Sequence, residues 1–123
     1  MLAHMSFGVE ELERAASFYD RILAPLGYTR VWSSAEAVGF GESGGADRLA
    51  LFARPGAATA PGPGFHLALK APSREAVDEF HAAALGAGGR SAGPPGPRPH
   101  YSPTYYAAFV LDLDGHKIEA VHQ

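Results

Sequence analysis

Tyr105-Tyr106-Ala107-Ala108-Phe109-Val110-Leu111-Asp112-Leu113-Asp114-Gly115-His116-Lys117-Ile118-Glu119-Ala120-Val121-His122 consists of two apolar, strand-like runs around an Asp-Gly turn. That pattern predicts a β-hairpin. Side chains alternate along a strand, so Ile118 and Ala120 point one way and Lys117, Glu119 and Val121 the other. Glu119 thus lies opposite the apolar face. A lone strand glutamate reads as a solvated residue; two other strands change that reading. One begins at His4 (His-Met-Ser-Phe-Gly-Val) and one at His66 (His-Leu-Ala-Leu-Lys-Ala). In the first, Met5, Phe7 and Val9 form the apolar face, with His4, Ser6 and Gly8 opposite. In the second, Leu67 and Leu69 are apolar, with His66, Ala68 and Lys70 opposite. All three strands put a potential metal ligand on the face that does not pack on a helix.

Working outward, the 123 residues suit one domain, and 46% hydrophobic content suffices for a core. The formal charge is −3, with both signs mixed and no basic run, so neither nucleic acid nor a membrane surface is an expected partner. Cysteine is absent, which removes disulfides and thiolate chemistry. The first residues, Met-Leu-Ala-His-Met-Ser, lack a charged start followed by an apolar stretch, and no run approaches the ~20 residues of a membrane span. A cytoplasmic protein is expected.

Between the hairpin and the N-terminus the elements repeat. After the His4 strand, Leu12, Ala15, Ala16, Tyr19, Ile22, Leu23 and Leu26 recur at helical spacing, and Pro25 and Gly27 stop that helix. Strands are expected over Tyr28 to Trp32, Ala37 to Gly41 and Arg48 to Ala53. Pro55 to Gly64 reads as a linker. The order then restarts: the His66 strand, Ser73 as a helix cap, an apolar stripe of Val77, Phe80, Ala84 and Leu85, and a stop at Gly86, Gly88 and Gly89. Ser91 to His100 reads as an ordered Gly/Pro-rich loop with one short strand near it. Shifting the first half by 62 positions (66 − 4) lays His4 on His66, Glu13 on Glu75, Phe18 on Phe80, Leu23 on Leu85 and Gly27 on Gly89, without a gap. An internal repeat of strand, helix and three strands follows. Aligning the closing strands at Leu49 and Ile118 sets Ala50 against Glu119. The fold expected is α+β: two βαβββ modules, 1–54 and 65–123, joined by linker 55–64 into a single domain, their curved sheet around a pocket and their helices outside.

This layout resembles the vicinal oxygen chelate superfamily, also called the glyoxalase/bleomycin resistance/dioxygenase family. The resemblance spans essentially the whole chain. It rests on the paired modules, the histidine at the start of each, and Asp112-x-Asp114-Gly115-His116-x-Ile118-Glu119. It implies that His4, His66 and Glu119 hold one divalent metal ion, with Fe, Mn, Zn, Ni and Co all open. It further implies a metal-dependent lyase, transferase or dioxygenase that chelates neighbouring oxygens of a small molecule, and a homodimer. Isomerases of the glyoxalase I type use a fourth ligand, a glutamate, where this chain has Ala50. A non-catalytic small-molecule or antibiotic-binding protein, as in bleomycin resistance, is the alternative.

Other residues carry weaker expectations. His100, Tyr101 and Tyr105 are candidates for proton transfer if their loop folds over the pocket. Ser6, Phe52, Arg98 and Tyr106 are candidates for contacting substrate, though the loop residues could equally be rim packing. Trp32 and Phe52 could form pocket wall or core. His81 reads as surface or interface, and His116 and His122 read as solvated.

Overall fold

The alternation read from the hairpin holds there: Ile118 and Ala120 belong to the core beneath the helices, and Glu119 between them does not. A computed structural model describes residues 1–57 and 60–123. The first module is β1 (Met5–Val9), α1 (Leu12–Leu23), a 3₁₀ turn (Ala24–Leu26), β2 (Thr29–Ser33), β3 (Ala37–Gly41) and β4 (Leu49–Ala53). The second is β5 (Leu67–Lys70), α2 (Arg74–Gly86), β6 (Arg90–Pro97), β7 (Tyr106–Leu111) and β8 (Lys117–His122). Each module forms its own four-stranded mixed sheet, ordered β1-β4-β3-β2 and β5-β8-β7-β6. The linker expected over 55–64 falls between them, and its residues 58 and 59 lie outside the described residues.

The repeat of 62 residues holds in three dimensions. It carries β1 onto β5 and the start of α1 onto the start of α2. In register, Met5 pairs with Leu49 and Leu67 with Ile118, both parallel, so Ala50 and Glu119 occupy equivalent places in the two sheets. Sequence counting and strand pairing agree on this.

Apolar side chains of α1, α2 and the helix-facing sides of both sheets form one continuous core. Phe18, Tyr19, Ile22 and Leu23 of α1 meet Val77 and Phe80 of α2 and Leu51, Val110 and Ile118 of the sheets. Leu85, expected in the α2 stripe, is instead 45% exposed, whereas its repeat partner Leu23 is buried. Ser73 caps α2 as expected, its Oγ accepting from the Ala76 amide at 3.1 Å.

Two glycines do different work at the helix stops. Gly27, at φ +89°, takes the left-handed conformation that closes the 3₁₀ turn after α1, and the matching conformation in the second module belongs to Gly88, at φ +96°. Gly89, the residue that counting laid on Gly27, is needed for space. A Cβ there would come within 2.8 Å of the Leu111 carbonyl oxygen and 2.9 Å of a Phe18 ring carbon. Gly89→Ala is expected to cost about 1–3 kcal/mol by overpacking. A shift of the urea midpoint at constant slope would measure it.

One stretch departs from expectation. Ser91 to His100 is not mainly loop: Arg90–Pro97 forms the eight-residue strand β6 despite Pro94, Pro95 and Pro97. β6 lies at the sheet edge, where a missing N–H breaks no interior ladder, and its register shifts between Gly93 and Gly96, where Pro94 and Pro95 fall.

Candidate functional site

Glu119 sits in the middle of the second sheet, next to Ala68 of β5 on one side and Phe109 of β7 on the other. The helix-facing positions of β8 are Ile118 and Ala120, so Glu119 projects from the opposite face. Its residue is 1% exposed, yet its carboxylate is satisfied. Oε2 lies 2.9 Å from His66 Nε2, and Oε1 accepts a 2.5 Å hydrogen bond from the Tyr105 hydroxyl. His66 stands just before β5, its ring packed edge-on against Phe109 with centroids 5.8 Å apart and its side chain 44% exposed. Tyr105 stands just before β7 and packs on a small apolar patch of Ala107, Phe109 and Val121 on this face. A buried carboxylate with an accessible imidazole beside it therefore marks this side of the sheet.

Tyr105 is a donor over the whole physiological range. Burial first, and the hydrogen bond to Glu119 second, push its pKa up from 10.0 to about 12. The folded state favours the neutral phenol. That contribution is complete below pH 10 and is lost as pH climbs from 10 towards about 12. In an alkaline titration followed by tyrosinate absorbance, Tyr105→Phe is expected to remove one of the late-titrating groups. Loss of a group titrating at the ordinary value would contradict the hydrogen bond to Glu119.

The remaining expected residues divide. Tyr101 packs tilted against Tyr105, with ring centroids 5.0 Å apart, and His100 tilted against Tyr101 at 4.3 Å, so this aromatic run extends from the Glu119 site into solvent. Arg98 reaches the same face, 5.8 Å above the Phe109 ring, but its guanidinium donates to the carbonyls of Pro94 and Gly96 at 2.6 and 2.9 Å. It braces the loop. Tyr106, expected at the pocket, faces the helix side instead, because it alternates with Tyr105: its hydroxyl donates to Asp78 of α2 at 2.7 Å. Ser6 and Phe52 lie on the corresponding face of the first sheet, with Arg54 5.5 Å over the Phe52 ring. Trp32 resolves as surface wall, 38% exposed and lying across Gly39, where a Cβ would meet the indole nitrogen at 2.2 Å.

His4 does not join His66 and Glu119. It is exposed, at an opening between the starts of β1 and β5 that Tyr28, Arg48 and Lys70 also line. Among the described residues no three His, Cys, Asp or Glu side chains come together as a metal site. One chain thus brings two of the three expected ligands into contact. That pair, an imidazole nitrogen and a carboxylate oxygen 2.9 Å apart on adjoining strands, fits part of a nitrogen–oxygen donor set.

Sequence reading missed a second polar cluster. His116, expected to be solvated, is 1% exposed, and its ring stacks on Phe7 at 4.2 Å. Its Nδ1 lies 2.9 Å from Asp112 Oδ2, and its backbone amide donates to Oδ1 at 2.8 Å. Tyr19 of α1 adds a 2.6 Å hydrogen bond to the same carboxylate, and the Asp114 amide another at 2.9 Å. Burial and the neighbouring Asp112 hold the Tyr19 phenol well above its ordinary pKa. This cluster fastens the β7–β8 turn of one module to α1 and β1 of the other. The Asp-x-Asp-Gly-His spacing was its one local signal. His122, also expected to be solvated, is partly buried, with Nδ1 3.0 Å from the Ala71 carbonyl. His81 is half-buried, its Nε2 2.8 Å from Ser91 Oγ.

Comparison with known proteins identifies the family and the fold. The sequence pattern described as the Glyoxalase/Bleomycin resistance protein/Dioxygenase superfamily matches residues 1–120. A glyoxalase/bleomycin resistance protein from Albidiferax ferrireducens T118 is 33% identical, with a TM-score of 0.84 over 100% of this chain and 98% of its own. A glyoxalase-related enzyme from Fulvimarina pelagi shares the fold at 22% identity and TM-score 0.75, covering 100% of this chain and 88% of its own. So does the fosfomycin resistance protein FosX from Listeria monocytogenes, at 20% identity and TM-score 0.70 over 98% and 91%. No functionally curated protein shows significant sequence similarity. No helix among the described residues is long and apolar enough to cross a membrane.

Proposed function

Because the chain belongs to the Glyoxalase/Bleomycin resistance protein/Dioxygenase superfamily, we propose that it is a metal-dependent enzyme that chelates two neighbouring oxygens of a small molecule. The observation that carries this reading is Glu119. An ionisable carboxylate is kept 1% exposed in a strand, on the face away from the core, with an accessible imidazole 2.9 Å away. Neither packing nor solubility requires that combination. His66 and Glu119 of one chain, with His4 of a second copy, form the ligand set, so the working species is a homodimer. Bound there, a divalent ion supplies Lewis acidity and open positions for substrate oxygens.

The chain's own residues set the stage for that chemistry. Tyr105 holds Glu119 Oε1 and so fixes the direction of Oε2. Phe109 limits the tilt of the His66 ring. Tyr101 and His100, packed outward from Tyr105, are the groups able to carry a proton to or from solvent. Ala50, at the place equivalent to Glu119, supplies no fourth ligand, which favours three-ligand transferase or dioxygenase chemistry over glyoxalase I-type isomerisation.

One observation favours a second reading, a non-catalytic protein that binds a small molecule or antibiotic. Tyr105 and His66 alone already satisfy the Glu119 carboxylate. The test is turnover of a catechol, an α-hydroxy-carbonyl thiol adduct, and an epoxide with a thiol, each with Fe(II), Mn(II), Ni(II) and Zn(II). Turnover lost in His66→Ala supports the enzyme. Tight ligand binding without turnover, indifferent to metal, supports the binding protein.

A further inference from the structure

Beside His66 a cleft of about 400 Å³ opens between the end of the linker and the β7–β8 turn. Pro63, Phe65 and Leu111 give it apolar walls, and His66 and Lys117 are its charged or polar side chains. Lys117 is two residues before Glu119 on β8, hence on the same face. Its half-buried stem carries the ammonium 5.1 Å over the Phe109 ring, the ring that also packs against His66. Among the described residues no carboxylate or carbonyl pairs with that ammonium. The other cation on this ring, Arg98, is taken up by the β6 carbonyls of Pro94 and Gly96. A half-buried lysine lining a cavity, its ammonium over a ring and with no anionic partner among the described residues, is poised for an anionic ligand. We propose that the cleft is an oxyanion subsite, and that Lys117 selects substrates carrying a carboxylate or phosphoryl group on a small apolar body. The proposal deepens the function above, resting on it only in calling the bound anion a substrate.

The test needs no metal and no knowledge of the reaction, so its outcome is separate from that of the metal site. Backbone NMR spectra of the chelator-treated full chain are titrated with benzoate, with phenylphosphonate, and with benzyl alcohol as the neutral control. The two anions distinguish a carboxylate from a phosphoryl preference. Saturable shifts are expected at Gly62, Gly64, His66, Gly115 and Lys117 with at least one anion. Lys117→Met keeps the apolar stem and should weaken that binding at least tenfold, while Lys117→Arg stays within about threefold. Binding should also weaken as salt rises. Anion shifts that do not saturate, equal binding of benzyl alcohol, or unchanged affinity in a folded Lys117→Met protein would each overturn the proposal.

Discussion

Asp112→Ala is expected to lower stability by about 3–5 kcal/mol, a large share of the 5–15 kcal/mol typical of a domain. The substitution removes one acceptor and strands several buried donors at once. The Tyr19 hydroxyl, the His116 ring and the amides of Asp114 and His116 all converge on this carboxylate. Each group left buried without a partner costs about 1–3 kcal/mol, and they share one site, so the costs do not simply add. Tyr19→Phe, which removes a single donor, should cost only about 1–2 kcal/mol. Urea unfolding of the three proteins makes the comparison. Because the cluster ties the turn before β8 to α1 and β1, Asp112→Ala should also loosen the contact between modules. A loss below about 1 kcal/mol for Asp112→Ala would mean that the cluster does not hold them together.

The second large effect concerns the metal. Glu119→Ala is expected to abolish binding of a divalent ion, because the variant loses the one carboxylate in the set and leaves His66 without its partner. Mixing two inactive variants tests the assignment of the third ligand to a second copy. In a dimer whose sites each combine His4 of one chain with His66 and Glu119 of the other, a His4→Ala chain paired with a Glu119→Ala chain contains one intact site. Metal binding should then return to about a quarter of the wild-type stoichiometry in a randomly re-associated equal mixture, and to about half in the isolated heterodimer. If each chain closes its own site, mixing restores nothing.

Much of the fold was legible because it depends on local periodicity. Two-residue alternation placed Glu119, His66 and His4 on the faces away from the helices, and one gapless offset of 62 located both modules. What stayed hidden depends on neighbours distant in sequence. His116 looked like a turn residue, and only Phe7 and Tyr19, contributed by the other module, make its position buried. β6 looked like a loop because proline is a poor strand residue, a rule that its edge position relaxes. Tyr105 and Tyr106 looked equivalent by composition. The start of β7 at Tyr106 sends one hydroxyl to Glu119 and the other to Asp78. His4 precedes β1 and is exposed, so two-residue alternation alone does not give it a partner.

The most direct test of the account is metal content per chain, measured on wild-type and Glu119→Ala protein purified without chelator and reloaded with Fe(II), Mn(II), Ni(II) or Zn(II). The account predicts close to one tightly held ion per wild-type chain and almost none in Glu119→Ala, with both proteins folded. Equal metal content in the two would contradict a centre built on Glu119.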